Sequence, residues 1–311
     1  MAEKNGVTIA ICTYNRADLL QYCLESLTHQ TVSSDAFEVL VVDNNSPDHT
    51  AELCESYSGR FSNFRHIVEK QQGLSFGRNR AVQEATGDWV LFIDDDAKAQ
   101  EDLVEVAMRL GEEAQEVYFY GGVDEPWYHF GRPKWMKDHY VSNKMDYSEN
   151  TVLQHPESAI GCIMLIHKRI FEEVGYFRTD IGMVGDKIAY GEDDDLQIRA
   201  RKQGFDIVYA PDLVVYHVVA PYKLDIDWFF KSAFALGRDN LIVRGYSQST
   251  GYLLLTALTA VVQAAVGLLA HTPKLYLKQD YYRENWLLDV FKKPTKRVGL
   301  VYTALKQKRN N

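Results

Sequence analysis

The sequence predicts an α/β fold, a mostly parallel β-sheet with helices on both faces, followed by a C-terminal helical extension. Three observations carry this. The apolar, β-branched runs VTIAIC, FEVLVV and WVLFI are unbroken, as strands buried on both faces require, and they alternate with segments of helical spacing. Each run ends in a polar cluster: TYNR, DNNS or DDD. Finally, twenty uncharged residues, Gly251 to Ala270, precede a basic C-terminal stretch.

Taken in order, Val7 to Cys12 is a strand, TYNRAD a loop, and LLQYCLESLTHQ a helix. Phe37 to Val42 is a second strand, and Ser46, Pro47 and Asp48 open the next helix. Phe64 to Val68 reads as a third strand, GLSFGRNRAVQEATG as a loop and helix stopped at Gly87, and Trp89 to Ile93 as a fourth strand. From Tyr118 the stretch FYGGVDEPWYHFGRPKWMKDHY, rich in Gly, Pro and aromatics, reads as a surface-lining loop region. Further strands are expected over Ala159 to Ile166, Phe205 to Ala210 and Leu213 to Val219. Between them, Gly191 to Gly204 forms a helix with acids in its first turn and bases later, as the helix dipole favours. Parallel sheets place ligands beyond the carboxyl ends of their strands, so the three polar clusters should meet in one crevice.

Composition narrows the function. The net charge of −9 excludes a nucleic-acid binder held by a broad basic face. Residues 271–311 carry ten Lys and Arg against three Asp and Glu, a net of +7, which leaves −16 on residues 1–270. The four cysteines form no C-x-x-C pair, and the N-terminal apolar run is too short for a signal segment; a cytoplasmic, reducing location is expected.

Asp94, Asp95 and Asp96 follow the fourth strand directly. Three adjacent carboxylates fit either a solvated turn or helix cap, or a divalent cation shared by the flanking pair, for which hard oxygen ligands suit Mg or Mn. A second acidic cluster, Glu192 to Asp195, starts at another loop.

The motifs TYNR, VVDNNS, GLSFGRNRAV with GDWVLFIDDDA, and GEDDDLQIRARKQGFDIVYAPDLVVYH together resemble the family 2 glycosyltransferases of bacterial polysaccharide-biosynthesis type, over about residues 6–240. The resemblance implies a GT-A, Rossmann-like fold, with a catalytic domain over 1–225 and a helical extension over 226–311. Its nucleotide-sugar half would be about 1–120 and its acceptor half about 121–225. It also implies an inverting, metal-dependent transfer from a nucleotide-sugar, UDP favoured, to a hydroxyl of a saccharide or lipid-linked acceptor. On that reading Asp94 and Asp96 hold Mn or Mg on the diphosphate, and Asp95 or Asp94 lies nearer the ribose. Asp193 is the base beside Glu192, an assignment that Asp194 and Asp195 leave open by one position. Asp43 reads the base, Thr13, Tyr14, Asn15 and Arg16 frame the nucleotide, and Arg78 and Asn79 approach the donor. His217 either completes the metal shell or serves the fold, since neutral imidazole suits both. Trp127 and Trp135 either stack on sugar or pack in the core.

Two other functions use similar materials. A nucleotidyltransferase would add a Gly-rich loop after the first strand, where CTYNRAD has no glycine. A non-catalytic component of a polysaccharide assembly complex would not need the acids at 192–195. Residues 251–270 are long enough to span a bilayer, but crossing would put the basic tail opposite the catalytic domain, against the positive-inside tendency. A membrane-surface contact through 251–311, peripheral at the inner face of the cell membrane, is therefore expected.

Overall fold

The computed structural model describes residues 6–113, 116–185 and 187–310. Elements follow in chain order. Strand β1 spans Val7–Thr13, helix α1 Ala17–Leu27, β2 Phe37–Asp43, α2 Thr50–Tyr57, β3 Phe64–Val68, α3 Leu74–Glu84, and β4 Trp89–Asp94. After them come β5 Ala97–Ala99, α4 Leu103–Glu113, β6 Phe119–Trp127, β7 Thr151–Val152, β8 Ile163–His167, α5 Lys168–Val174, α6 Glu192–Lys202 and β9 Val208–Val218. The C-terminal helices are α7 Ile226–Val243, α8 Thr250–His271, α9 Lys274–Leu277 and α10 Arg283–Asn310.

The strands form one sheet in the order β3-β2-β1-β4-β8-β6-β9-β5, with β7 also on β9. Strands β3, β2, β1 and β4 are mutually parallel, β8 reverses direction, and most paired residues lie in parallel ladders. Alternation along the strands builds two cores. Ile9, Ile11, Val39, Val41, Leu91 and Ile93 face one way with Leu20, Leu24 and Leu103 of α1 and α4; Ala10, Leu40, Val42, Val90 and Phe92 face the other with Ala81, Ile170 and Leu196 of α3, α5 and α6. Both faces are covered, which is why these strands read as unbroken apolar runs.

At the amino end of the strands a buried acid is fully engaged. Glu38 accepts from Thr8 Oγ1 at 2.7 Å, from Thr86 N and Oγ1 at 2.8 and 2.9 Å, and from Arg65 at 3.1 Å. Burial pushes its carboxyl up, but these donors hold it below the usual range. Gly87 is needed there because a Cβ would lie 2.3 Å from Gly6 O.

Four expectations change. The region from Tyr118 is not all loop, since residues 119–127 form β6; its glycines mask it, yet a Cβ at Gly121 would lie 2.2 Å from Ala159 Cβ and one at Gly122 would lie 2.3 Å from Leu213 O. The two strands expected over 205–219 are one, β9, whose pairing to β6 shifts register past Pro211 and Asp212; Pro has no N–H to give the ladder. Strand β8 begins at Ile163 rather than Ala159, because Gln197 clamps Ala159 N and O at 2.8 and 3.0 Å and holds that stretch off the ladder. Helix α2 starts at Thr50, after Asp48, whose carboxylate accepts from Ala17 N and Thr50 N, the first backbone donors of α1 and α2.

The chain divides into two compact units. The first holds the described residues up to Trp127, Val141–Gly185 and Glu192–Val218; the second holds Tyr128–Tyr140, the described residues of 186–191, and those from Val219 onward. In the second unit α10 packs backbone to backbone: a Cβ at Gly237 of α7 would lie 1.7 Å from Lys296 O, and one at Gly299 would lie 2.2 Å from Phe234 O. Helix α8 buries Leu253, Thr256, Ala260 and Gly267 and leaves an apolar face bare, with Leu254 67% and Leu269 80% exposed. Residues Thr250–Leu277 are long and apolar enough to cross a membrane by length and composition.

Candidate active site

The carboxyl ends of β1, β2 and β4 are brought level by register, with Thr13 opposite Asp43 and Cys12 opposite Asp94. Strand β5 pairs antiparallel with β9, placing His217 opposite Ala97, next to the acids. Val218 N donates to Asp96 O at 2.9 Å, so that ladder runs into the acidic triplet itself.

Asp94, Asp95 and Asp96 meet two arginines. Arg16 Nη1 lies 3.3 Å from Asp95 and 3.4 Å from Asp96, and Thr13 Oγ1 donates to Asp95 at 2.7 Å. Arg78, 3% exposed, lies 3.7 Å from Asp94, donates to Glu192 at 2.9 Å and to Gly161 O at 2.8 Å. This support is incomplete. Burial, only partly offset by Arg16, pushes Asp95 up to about 6, and burial likewise raises Asp94 despite Arg78. Unlike Glu38 at the opposite end of the sheet, Asp94 and Asp95 are raised, because burial outweighs the arginines beside them.

Ligand atoms of Asp94, Asp96 and His217 all lie within 4.8 Å of one another, with His217 Nε2 2.9 Å from Asp96 Oδ1. Two carboxylates and an imidazole suit Mg or Mn, so the residues present fit a divalent cation. Asp124, Cys162 and His217 form a second such group.

Asp43 is buried and accepts from Ser46 N at 2.8 Å, with His66 Nε2 at 3.7 Å. Burial raises it, but nearby His66 and the bond from Ser46 outweigh that and hold it below the usual range, so it is an ionised acceptor at neutral pH. Asn15 and Asn45 take left-handed backbones beside it, and Asn15 N donates to Ser46 Oγ at 2.9 Å. Tyr14 is half-buried in the same loop. Asn79 exchanges bonds of 2.8 and 2.9 Å with Phe177 O and N, which engages both ends of its amide.

Helix α6 presents Glu192 and Asp193 of its first turn toward Arg78. Glu192 is held by Arg78, and the left-handed Gly182 packs so close that a Cβ would lie 2.6 Å from Glu192 Oε2. Asp195 is held by Arg199 at 2.8 Å and Arg178 at 3.4 Å. Asp193 Oδ2 lies 2.8 Å from where a Cβ on Gly161 would be, beside Arg78 Nη2. Burial first, then Glu192 and Asp194, push Asp193 up to about 7 against the pull of Arg78.

The two tryptophans fall in different units. Trp127 meets Tyr22 edge-on at 5.2 Å and lies under Lys98 Nζ at 4.9 Å. Trp135 meets Phe229 edge-on at 5.9 Å and lines a cavity of about 340 Å³ with Pro221, Leu224, Asp225, Ile226 and Glu284. Sequence reasoning missed Asp124, which sits 3.6 Å from His217 Nδ1, because β6 was read as loop; a strand there would have shown an acid turned to a buried face.

The site is thus a set of carboxylates at the strand ends of an α/β sheet, with a second acid, Asp193, raised toward neutrality nearby. The sequence profile of glycosyl transferase family 2 matches residues 8–175. Among relatives, the glycosyltransferase AglE of Haloferax volcanii is 25% identical over 278 residues, 89% of this chain and 85% of that protein. The glucosyl-dolichyl phosphate glucuronosyltransferase of the same organism is 23% identical, over 74% of this chain and 75% of that protein. Among solved structures, mannosyltransferase PcManGT from Pyrobaculum calidifontis, in complex with GDP-Man and Mn2+, superposes with a TM-score of 0.64 at 19% identity, covering 97% of this chain and 87% of that one. TarS 1-349 of S. aureus, in complex with UDP, gives 0.55 at 16% identity, covering 98% and 92%. The chain belongs to glycosyl transferase family 2, and it is a glycosyltransferase of GT-A fold.

Proposed function

We propose that this glycosyltransferase is inverting and divalent-metal-dependent, moving a sugar from a nucleoside diphosphate sugar, UDP favoured, to a hydroxyl of a saccharide or lipid-linked acceptor. The observation that carries it is the acid group at the strand ends, where burial raises Asp94 and Asp95 against their arginines and where ligand atoms of Asp94, Asp96 and His217 lie within 4.8 Å of one another.

Asp94, Asp96 and His217 would hold the cation, which when bound neutralises the departing diphosphate as a Lewis acid. Asp193 accepts the proton of the acceptor hydroxyl, and a value near 7 suits that work at neutral pH. The hydroxyl oxygen bonds to the anomeric carbon as the bond to the diphosphate oxygen breaks, its electron pair leaving with the diphosphate. A single displacement inverts the centre. Arg78 keeps Glu192 in place between the two acid groups. Asp43, ionised, accepts a ring N–H of the base. Asp195 and Glu192 are committed to arginines, which favours Asp193 over those two as the base.

Relatives and neighbours support the substrate class. One relative is named for a dolichyl phosphate substrate, and neighbours were solved with GDP-Man and Mn2+, with UDP, and with UDP-GlcNAc. The bare face of α8 and the basic C-terminal stretch support a place at the inner face of the cell membrane.

Thermal unfolding with UDP, dTDP and GDP, with and without Mn2+, tests the reading. Ligand at a hundredfold its Kd stabilises by about 2.7 kcal/mol, roughly 5–10 °C for a domain of this size. One nucleotide should shift the midpoint only with Mn2+, and Asp96→Ala should abolish the shift; no shift with any nucleotide would sink the proposal.

A further inference from the structure

The geometry points to Asp124 as a positioning residue that makes His217 a metal ligand, an inference resting on the metal reading above. In the parallel ladder between β6 and β9, Pro126 stands opposite His217. Asp124, two residues earlier on β6, therefore presents its side chain on the same face. Its Oδ2 lies 3.6 Å from His217 Nδ1, while the other ring nitrogen, Nε2, lies 2.9 Å from Asp96 Oδ1. The imidazole stands between a buried carboxylate on one side and the acid pair on the other.

Asp124 is held firmly. It is 2% exposed; its Oδ1 accepts from Asn143 N at 2.6 Å, its own N donates to Asn143 Oδ1 at 2.9 Å, and Ser142 Oγ donates to its carbonyl at 2.7 Å. An asparagine could keep the bond from Asn143 N. A carboxylate keeps a second acceptor oxygen, Oδ2, toward His217 Nδ1, whereas an asparagine that accepts from Asn143 would turn its amide nitrogen there. At 3.6 Å this carboxylate lies just beyond direct hydrogen-bond length and acts on Nδ1 through its field or a bridging water; it favours the N–H on Nδ1, which leaves the lone pair on Nε2 for a cation.

Asp124 and His217 also belong to the group that includes Cys162. That group is the poorer cation site. One Asp124 oxygen is already bonded and the residue is closed in, whereas the Asp94 side chain is one-third exposed and opens outward; hard carboxylates also suit Mn2+ better than a thiol does. Asp124 thus acts behind the imidazole rather than as a ligand.

The test is Mn2+ affinity, read by the EPR signal of free Mn2+, for metal-free protein alone and with UDP, in the wild type, Asp124→Asn, His217→Ala and the double variant. His217→Ala and Asp124→Asn should each weaken Mn2+ binding about tenfold or more, the usual effect of losing a ligand's outer partner. The double variant should be no weaker than His217→Ala alone. If Asp124→Asn binds like the wild type, or weakens binding equally when His217 is absent, the positioning role is wrong while the metal site stands. Wild-type affinity in His217→Ala would instead overturn the ligand assignment, and the role of Asp124 with it. Asp124→Ser, measured the same way, decides the matter if the asparagine variant does not fold.

Discussion

Replacing Asp193 by Asn should make the protein more stable and nearly inactive, with the stability gain depending on pH. The folded carboxyl sits near 7 against an ordinary value of 3.8. At about 1.4 kcal/mol per pH unit, holding it ionised costs up to roughly 4 kcal/mol, and its partial exposure brings this to roughly 2–4 kcal/mol. The unfolded chain releases its proton near pH 4, while the folded protein keeps it to about 7. The cost is therefore absent below pH 4, grows between 4 and 7, and is complete above 7. In metal-free protein followed by calorimetry, the midpoint of Asp193→Asn should match wild type at or below about pH 4. At pH 8 it should exceed wild type by roughly 5–12 °C. Transfer should fall by roughly 10² to 10⁴ in kcat, as for loss of a general base. Asp195→Asn is the control of opposite sign: it removes the carboxylate that Arg199 and Arg178 share, leaving Arg178 with Asp180 and Arg199 with backbone carbonyls, and should lower the midpoint while leaving turnover largely intact. A midpoint gap for Asp193→Asn that does not vary with pH, or a kcat within threefold of wild type, would refute the reasoning.

Other outcomes follow from the same structure. Asp43→Ala should weaken UDP binding by about tenfold by calorimetric titration, the worth of one hydrogen bond to a charged acceptor; unchanged affinity would remove Asp43 from the base site. Gly237→Ala should cost about 3 kcal/mol or more in urea unfolding, because its Cβ would lie 1.7 Å from backbone Lys296 O, which cannot step aside. Leu254→Glu with Leu258→Glu, both on the exposed face of α8, should leave the fold intact and reduce co-flotation with anionic vesicles several-fold; undiminished flotation would take the membrane contact away from this face.

The strands β1, β2 and β4 were legible because both their faces are covered, so short of their polar carboxyl ends apolar residues fill them apart from Thr8 and Glu38, which pair with each other near the amino ends. The meeting of their polar ends followed from alternation of strand and helix, and the placement of Asp43, Asp94 and His217 agrees with it. Strand β6 was hidden by Gly121 and Gly122, whose absent side chains leave room for Ala159 and Leu213 and look from sequence like turn signals. The join within β9 was hidden by Pro211, which marks a bulge and not an end. Local patterning also says nothing of contacts across the chain, such as Arg78 with Glu192 or Asp124 with His217. The apolar run of α8 could be read directly, but which side α10 covers depends on Gly267 meeting Val290.

The ladder joining β5 to β9 bears on how such an enzyme could diversify. Because Val218 is bonded to Asp96, and His217 stands opposite Ala97, a slip of one residue in β9 would turn the imidazole to the other face of the sheet. The acids and the histidine can therefore be inherited only as a block. Insertions and deletions should accumulate in irregular segments such as 128–137, outside every ladder, and spare 208–218. Descendants could acquire new sugars by rewriting loops while the strands that carry the charge stay the same length.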